Sequence, residues 1–318
     1  MVLSSCSGSR EPEKESVRAG KTYSIAVIPK GTIHEFWKTI HAGAIQAARE
    51  TGAEIIWKGS IREDDREEQI QIVETFIGSG IDAIVLAPLD DRALLLPVRE
   101  AAAQGIPTVV IDSDLEGDAH ISFVATDNYR GGVMAARRVA ELLGGSGTVI
   151  LIRYQEGSAS NTNREEGFRD TLVKEYPAIT ILSDNQYLGP TTESAYRGSE
   201  NLLNRFPDVE AIFAPNEPLT FGCLRALEEN GLASKVFLVG FDASEKLIEG
   251  LRNGTVHGLV LQDPFTMGYL GVMTAVHHLD GETVESRIDT GVTLVTRDNI
   301  DDPAVRELYA RDLSEYLE

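Results

Sequence analysis

From residue 22 onward the chain alternates short β-rich apolar runs with stretches of helical periodicity, and this alternation constrains the fold more than any other feature. Apolar runs fall at 23–28, 54–57, 83–87, 107–111, 121–125, 148–152, 178–182, 210–214, 236–240 and 256–261. Helical patterns such as "EEQIQIVETFIGSG" and "RALLLPVREAAAQG" separate most of them, and several close on glycine, as helix C-termini tend to. A strand that is apolar at successive positions must be covered on both faces, and helices between strands supply that cover. The expected class is α/β, with doubly wound parallel sheets.

Two segments share a plan. "GIDAIVLAPLDDRALLLPVREAAAQGIPTVVIDSD" (80–114) and "DVEAIFAPNEPLTFGCLRALEENGLASKVFLVGFDAS" (208–244) each run from a strand ending in Ala-Pro through an acidic residue, a helix and a Gly turn to a strand ending in Asp. "YSIAVIPKG" and "GTVILIRYQEG" match as the first strand of each half. The chain therefore reads as two similarly wound units, the second beginning near residue 126.

Composition removes several function classes. A net charge of −21 argues against a nucleic-acid partner, because phosphate binding needs a basic surface. Two cysteines, Cys6 and Cys223, cannot build a disulfide framework; Cys223 in "FGCLRAL" reads as a buried helix thiol. Leu3-Ser4-Ser5-Cys6 matches the pattern at which bacterial lipoprotein signal peptides are cut and the cysteine acylated, and the polar "SGSREPEKESVRAG" after it reads as a tether. The apolar core that should precede such a cysteine is not in the sequence. The motifs of P-loops, dinucleotide folds, nucleophile elbows and zinc proteases do not occur, so no cofactor, metal or catalytic residue is expected. "DSDLEG" (112–117) starts like a calcium loop, but position twelve is Phe123 instead of a bidentate Glu. The acidic run "REDDREE" (62–68) reads as a solvated helix start.

In an open parallel sheet, ligands bind beyond the carboxyl ends of the strands. Lys30, His34, Phe36 and Trp37 follow the first strand, and Asp112 and Asp114 the fourth. In the second half come Tyr154, Glu156, Arg164, Asn216, Glu217 and Asp242. If the halves face each other, Asp112 and Asp242 approach from opposite walls of one cleft. Planar Asp, Asn, Gln and Arg heads can pair with neighbouring sugar hydroxyls, and aromatic rings offer a slab to a pyranose or furanose. Phe36 and Trp37 are expected to form one wall of a sugar slot. Adjacent helix positions point roughly a hundred degrees apart, so one of the two can instead be core.

The residues also resemble a family. "HEFWKTIHAGA", "GIPTVVIDSD", "VATDNYRGG", "NREEGF", "DVEAIFAPNE", "TFGCLRAL", "VFLVGFDAS" and "GLVLQDPFTMGYLGV", in that order from Tyr23 to Thr296, are similar to the type I periplasmic sugar-binding proteins of ABC transporters, the ribose and galactose group. The resemblance implies ring stacking by Phe36 and Trp37, hydroxyl binding by Asp112, Arg164, Asn216, Asp242 and Gln262, and a ring-flanking Phe241. His34 and Glu35 replace the family's Asn-Pro, Ser113 an Arg and Ala87 an Asn, which speaks against ribose itself. Lys30 and His34 are left to meet an extra hydroxyl, a carboxylate or a larger sugar. In the longer loop 186–196, Tyr187 is the candidate for the family's aromatic.

The resemblance further implies two lobes joined by three hinge crossovers, near Ala125-Thr126, Gln262-Asp263 and Thr290-Thr293. The first lobe is placed at 22–125 plus 263–292 and the second at 126–262 plus 293–318, after a tether at 1–21. The implied role is a monomeric periplasmic or extracytoplasmic protein that captures a monosaccharide or related polyol by hinge closure and delivers it to an ABC permease. Its membrane contact would run only through lipid at Cys6. The alternatives are the ligand core of a LacI-type regulator, a chemosensory sugar receptor, and a hydrolase using Asp112 and Asp242. The regulator requires an upstream basic helix-turn-helix, whereas only about twenty polar residues precede Tyr23.

Overall fold

A computed structural model describes residues 22–317. The first half of the chain forms β1 (Ser24–Ile28), α1 (Glu35–Thr51), β2 (Glu54–Trp57), α2 (Arg66–Ser79), β3 (Ala83–Leu86), α3 (Leu95–Ala103), β4 (Thr108–Ile111) and β5 (Ser122–Ala125). The second forms α4 (Asn128–Leu142), β6 (Gly147–Leu151), α5 (Ala159–Glu175), β7 (Ile179–Ser183), α6 (Thr192–Arg205), β8 (Ala211–Phe213), α7 (Glu217–Glu229), β9 (Phe237–Phe241), α8 (Glu245–Asn253) and β10 (Gly258–Leu261). The chain ends with α9 (Pro264–Leu279), β11 (Arg287–Asp289), β12 (Thr293–Val295) and α10 (Pro303–Tyr309). The tether and Cys6 lie outside the described residues.

The strands build two sheets of matching order, β2-β1-β3-β4-β5-β11 and β7-β6-β8-β9-β10-β12. All pairings are parallel except that of β12 with β10. The α/β expectation holds, and its reason is visible in burial: β3 and β4 are buried at every position, with helices on both faces. β2, at an edge, alternates exposed and half-buried residues instead. Each sheet reverses its winding between its first and third strands, which places a switch point at the carboxyl end of β1 in one lobe and of β6 in the other.

The chain passes between the sheets three times: between β5 and α4, between β10 and α9, and between β11 and β12. α9 packs along α1 in the first lobe, and α4 along α5 in the second. The α4–α5 contact is backbone-close. A Cβ at Gly132 would overlap the carbonyl of Arg164, and one at Gly167 the carbonyl of Tyr129. These glycines set how closely α5 approaches α4, and hence where Arg164 stands.

Two features depart from the sequence expectation. β11 and β12 are not among the expected strands, since three-residue segments in which only Val295 is buried carry little periodic signal. The end of the chain, placed with the second lobe, does not stay there. α10 is anchored in the second lobe through Val305, but beyond it the Arg311 guanidinium lies over the ring of Phe265 at 4.0 Å. Tyr316 meets the same ring edge-on at 5.4 Å, and Arg49 Nη2 donates to the Glu315 carbonyl at 2.7 Å. Aromatic and guanidinium stacking on α1 and α9 thus draws the final residues to the first lobe.

Among the described residues no helix is long and apolar enough to cross a membrane.

Candidate functional site

The backbone prepares the site first. Asp112 and Asp242, the residues just past β4 and β9, both occupy the left-handed region, with φ of 62° and 63°. Their amides bond equivalently, to the carbonyls of Val124 (3.2 Å) and Val260 (2.9 Å) on the next strand. Aspartate tolerates this conformation better than most residues, and strained backbone of this kind concentrates where side chains must be aimed. The shared plan of the two halves therefore ends in two carboxylates directed at one interlobe gap.

Nine of the ten residues expected at the site line that gap: Lys30, His34, Phe36, Trp37, Asp112, Arg164, Asn216, Asp242 and Gln262. The gap is narrow, about 40 Å³. Phe241 does not line it. Its ring is fully buried in the second-lobe core and supports the Arg164 guanidinium at 3.9 Å, because strand alternation turns it away from the opening that Asp242 faces.

The charges are largely matched within the protein. Lys30 Nζ lies 2.7 Å from Asp112 Oδ2, both side chains 4% exposed, and also donates to Ser160 Oγ at 3.1 Å. Arg164 donates through Nε to Asn128 Oδ1 (2.8 Å) and through Nη1 to the Pro215 carbonyl (2.9 Å), and stands 3.8 Å from Asp242 Oδ2. Burial lowers the Arg164 pKa, which Asp242 and Asp112 oppose. Burial raises that of Asp242, against the pull of Arg164 and the hydrogen bond from Gln262 Nε2 at 2.8 Å. Gln262 Oε1 is buried and has no hydrogen-bond partner.

Asn216 caps α7, accepting from the Leu219 amide at 3.1 Å, while its Nδ2 donates to Asn161 Oδ1 at 3.0 Å. Of the adjacent rings, Trp37 is buried in the first-lobe core, whereas Phe36 is half-buried and meets it edge-on, centroids 5.0 Å apart. Tyr187 lies outside the gap, 41% exposed beneath the Arg153 guanidinium.

Sequence reasoning missed Glu63. The run "REDDREE" divides in three: Arg62 pairs with Asp64 at the surface, Asp65 caps α2, and Glu63 turns inward. Its Oε1 accepts from Trp37 Nε1 at 2.6 Å, and its Oε2 from the Tyr154 hydroxyl of the opposite lobe at 3.0 Å. His34 stands between Glu63 (3.8 Å) and Glu217 (3.7 Å), whose pKa burial raises. Ser160 and Asn161, on the first turn of α5, complete the lining. A charge run carries no sign of which member points inward; Glu63 lies in the turn before the Asp65 cap, and its partners Trp37 and Tyr154, distant in sequence, mark it out.

Residues 25–283 match the family model described as periplasmic binding protein domain. The chain belongs to that family. This periplasmic binding protein is 29% identical over 311 residues to the D-ribose/D-allose-binding protein of Pseudomonas aeruginosa, covering 93% of this chain and 96% of the relative. It is 28% identical over 279 residues to the ribose import binding protein of Bacillus subtilis, covering 87% and 88%. Among solved structures, a carbohydrate transporter solute-binding protein from Agrobacterium radiobacter in complex with D-arabinose superposes with a TM-score of 0.87 at 33% identity, covering 90% of this chain and 98% of that one. An ABC transporter solute-binding protein from Agrobacterium vitis with bound D-fucose gives 0.87 at 34%, covering 90% and 99%.

Proposed function

We propose that this chain is the solute-binding component of a sugar ABC importer, capturing a neutral monosaccharide or related polyol outside the cytoplasm and presenting it to a permease. The observation that carries this reading is the pair Asp112 and Asp242, aimed from two lobes into one gap beside Phe36. Planar polar heads next to an aromatic edge suit adjacent hydroxyls on a ring, and the named relatives handle such molecules. Closure about the three crossings would hold the sugar between contacts that the open form lacks. On this reading the lobe boundaries fall at those crossings, the protein works as a monomer, and lipid at Cys6 is its membrane anchor.

A ligand carboxylate fits poorly. Lys30 is taken by Asp112 and Ser160, Arg164 by Asn128, Pro215 and Asp242, and His34 by two glutamates. Two cationic side chains, Lys30 and Arg164, share the lining with four carboxyl groups, those of Asp112, Asp242, Glu63 and Glu217. Uronates and sugar phosphates would meet net repulsion. Neither Asp112 nor Asp242 is free of a cationic neighbour, which favours holding a sugar over acid–base turnover.

The test is a thermal-shift panel of D-ribose, D-allose, D-arabinose, D-tagatose, D-fucose and xylitol, with mass spectrometry of the sugar afterwards. A ligand at a hundred times its Kd stabilises the folded state by about 2.7 kcal/mol. Arg164→Ala or Asp112→Ala should abolish the shift. A normal shift in both variants would disprove the site, and a chemically altered sugar would disprove simple binding.

A further inference from the structure

We propose that a second cavity, beside the gap, is a subsite for a neutral, hydroxyl-bearing substituent on the ligand, so that the protein accepts a glycoside or short oligosaccharide with one sugar in the gap and its neighbour in the cavity. The inference rests on the sugar-binding reading above and extends it. The cavity measures about 1150 Å³, against about 40 Å³ for the gap, and lies between α1 of the first lobe and α8 of the second. Phe36, Asp242 and Gln262 line both spaces, so a ligand held by these three side chains has the cavity as its neighbour.

The cavity has a built roof. Residues 308–313 cross it, fixed to the second lobe by Tyr309, whose hydroxyl donates to the Ile300 carbonyl at 3.0 Å. They are fixed to the first lobe by Arg311 on Phe265, backed by Tyr316 and the Arg49–Glu315 bond. A roof held by both lobes belongs to the closed arrangement and not to either lobe alone.

Two further observations specify what the space would take. Gln262 is 3% exposed and gives its Nε2 to Asp242, which leaves Oε1 as a buried acceptor without a donor at the junction of the two spaces. A hydroxyl on the ligand supplies such a donor. Several charges around the cavity are already paired within the protein: Lys246 with Glu249 at 2.9 Å, Arg252 with Asp301 at 3.2 Å, Arg311 with Glu307 at 3.4 Å and Glu35 with Lys38 at 2.7 Å. Glu245 and Asp312 also line the cavity and are in none of these pairs, so what remains is acidic, apolar and uncharged polar surface, with Leu308, Tyr309, Ser244 and Asn253 among it, which suits a neutral polyol better than an anion.

Calorimetry on the full chain tests this with D-ribose, D-arabinose, D-allose and D-fucose, each as the free sugar, the methyl glycoside and a glucosyl disaccharide. Thr39→Trp from α1 and Glu249→Trp from the exposed side of α8 fill the cavity from opposite walls without touching the gap. The wild type should bind at least one glycosylated probe as tightly as its parent sugar. Either tryptophan should weaken that probe by about tenfold or more while changing the parent less than about threefold. If the wild type binds free sugars but rejects every glycosylated form, or if both tryptophans weaken both forms alike, the subsite is refuted. Failure of every probe, free sugars included, overturns the sugar-binding reading and the subsite with it.

Discussion

Replacing Lys30 with methionine isolates the charge arrangement on which the gap depends. Methionine approximates the length of the lysine stem but leaves Asp112, 4% exposed, without its ammonium partner at 2.7 Å. Breaking a buried ion pair by removing one member costs about 3–5 kcal/mol, because the surviving charge stays buried and uncompensated. For a lobe of this size each kcal/mol lowers Tm by roughly 2–4 °C, so Lys30→Met should lower it by roughly 6–20 °C at pH 7. Lys30→Met/Asp112→Asn, which removes both charges, should recover most of the loss. Scanning calorimetry of the wild type, Lys30→Met, Asp112→Asn and the double variant at pH 7 measures the cycle. A deficit below about 1 kcal/mol, or one that the double variant fails to recover, would mean that water reaches Asp112 and that the pair is not the buried contact described.

Two further outcomes follow from packing and burial. Gly167→Ala forces a methyl against the Tyr129 carbonyl, so α4 and α5 must separate; overpacking of this kind costs about 1–3 kcal/mol, and sugar-induced stabilisation should fall with it because Arg164 rides on α5. Wild-type melting and ligand response in that variant would refute the coupling. Burial against Trp57, stacked at 4.3 Å, lowers the His41 pKa from its ordinary 6.5 to about 4. The folded state then binds fewer protons than the unfolded one, so this contribution is present above pH 6.5 and lost as pH falls towards 4. The imidazole is only half-buried, which holds the effect to about 1 kcal/mol, and His41→Gln should flatten that part of the stability curve measured by urea unfolding.

The parts of this molecule legible in the sequence are those where one physical demand dominates. β3 and β4 had to be apolar throughout because helices cover both faces, and that run can be read without knowing its partners. The strand ends then located Lys30, Asp112, Arg164, Asn216 and Asp242, because a doubly wound sheet leaves few places for a ligand. The roles that escaped depend on neighbours distant in sequence. Glu63 is one acid among several until Trp37 and Tyr154 select it. Phe241 sits next to a gap residue but faces the other side of its strand. Ser113 lacks the family's arginine, and its hydroxyl instead accepts the Ser160 amide at 3.1 Å, a contact visible only once the lobes meet.

The cross-lobe contacts bear on the closure proposed above. Lys30 to Ser160, Ser160 to Ser113, Tyr154 and Gln155 to Glu63, and the Asp91 amide to the Gly157 carbonyl all join the lobes using protein groups alone. At about 0.5–1.5 kcal/mol net for an ordinary hydrogen bond, they offset part of the cost of bringing the lobes together. On the proposed closure, a sugar has to shift an existing equilibrium instead of creating the closed form outright. Tyr154→Phe tests this, because it deletes one hydroxyl whose charged acceptor sits on the other lobe. Such a bond contributes about 1.5–3 kcal/mol, and the loss falls on the closed state only. Where those bonds already populate the closed form without ligand, the variant moves the sugar-free protein to the open form, so it should scatter X-rays with a larger radius of gyration and its apparent affinity should drop by up to about 10–100-fold. Gln155→Leu separates this from lost ligand contact, since Gln155 reaches the Glu63 carbonyl from outside the gap lining and should shift both readouts the same way, by less. If Tyr154→Phe weakened binding with no change in sugar-free scattering, and Gln155→Leu did nothing, the hydroxyl would be a ligand contact and the lobes would owe their closure to the sugar.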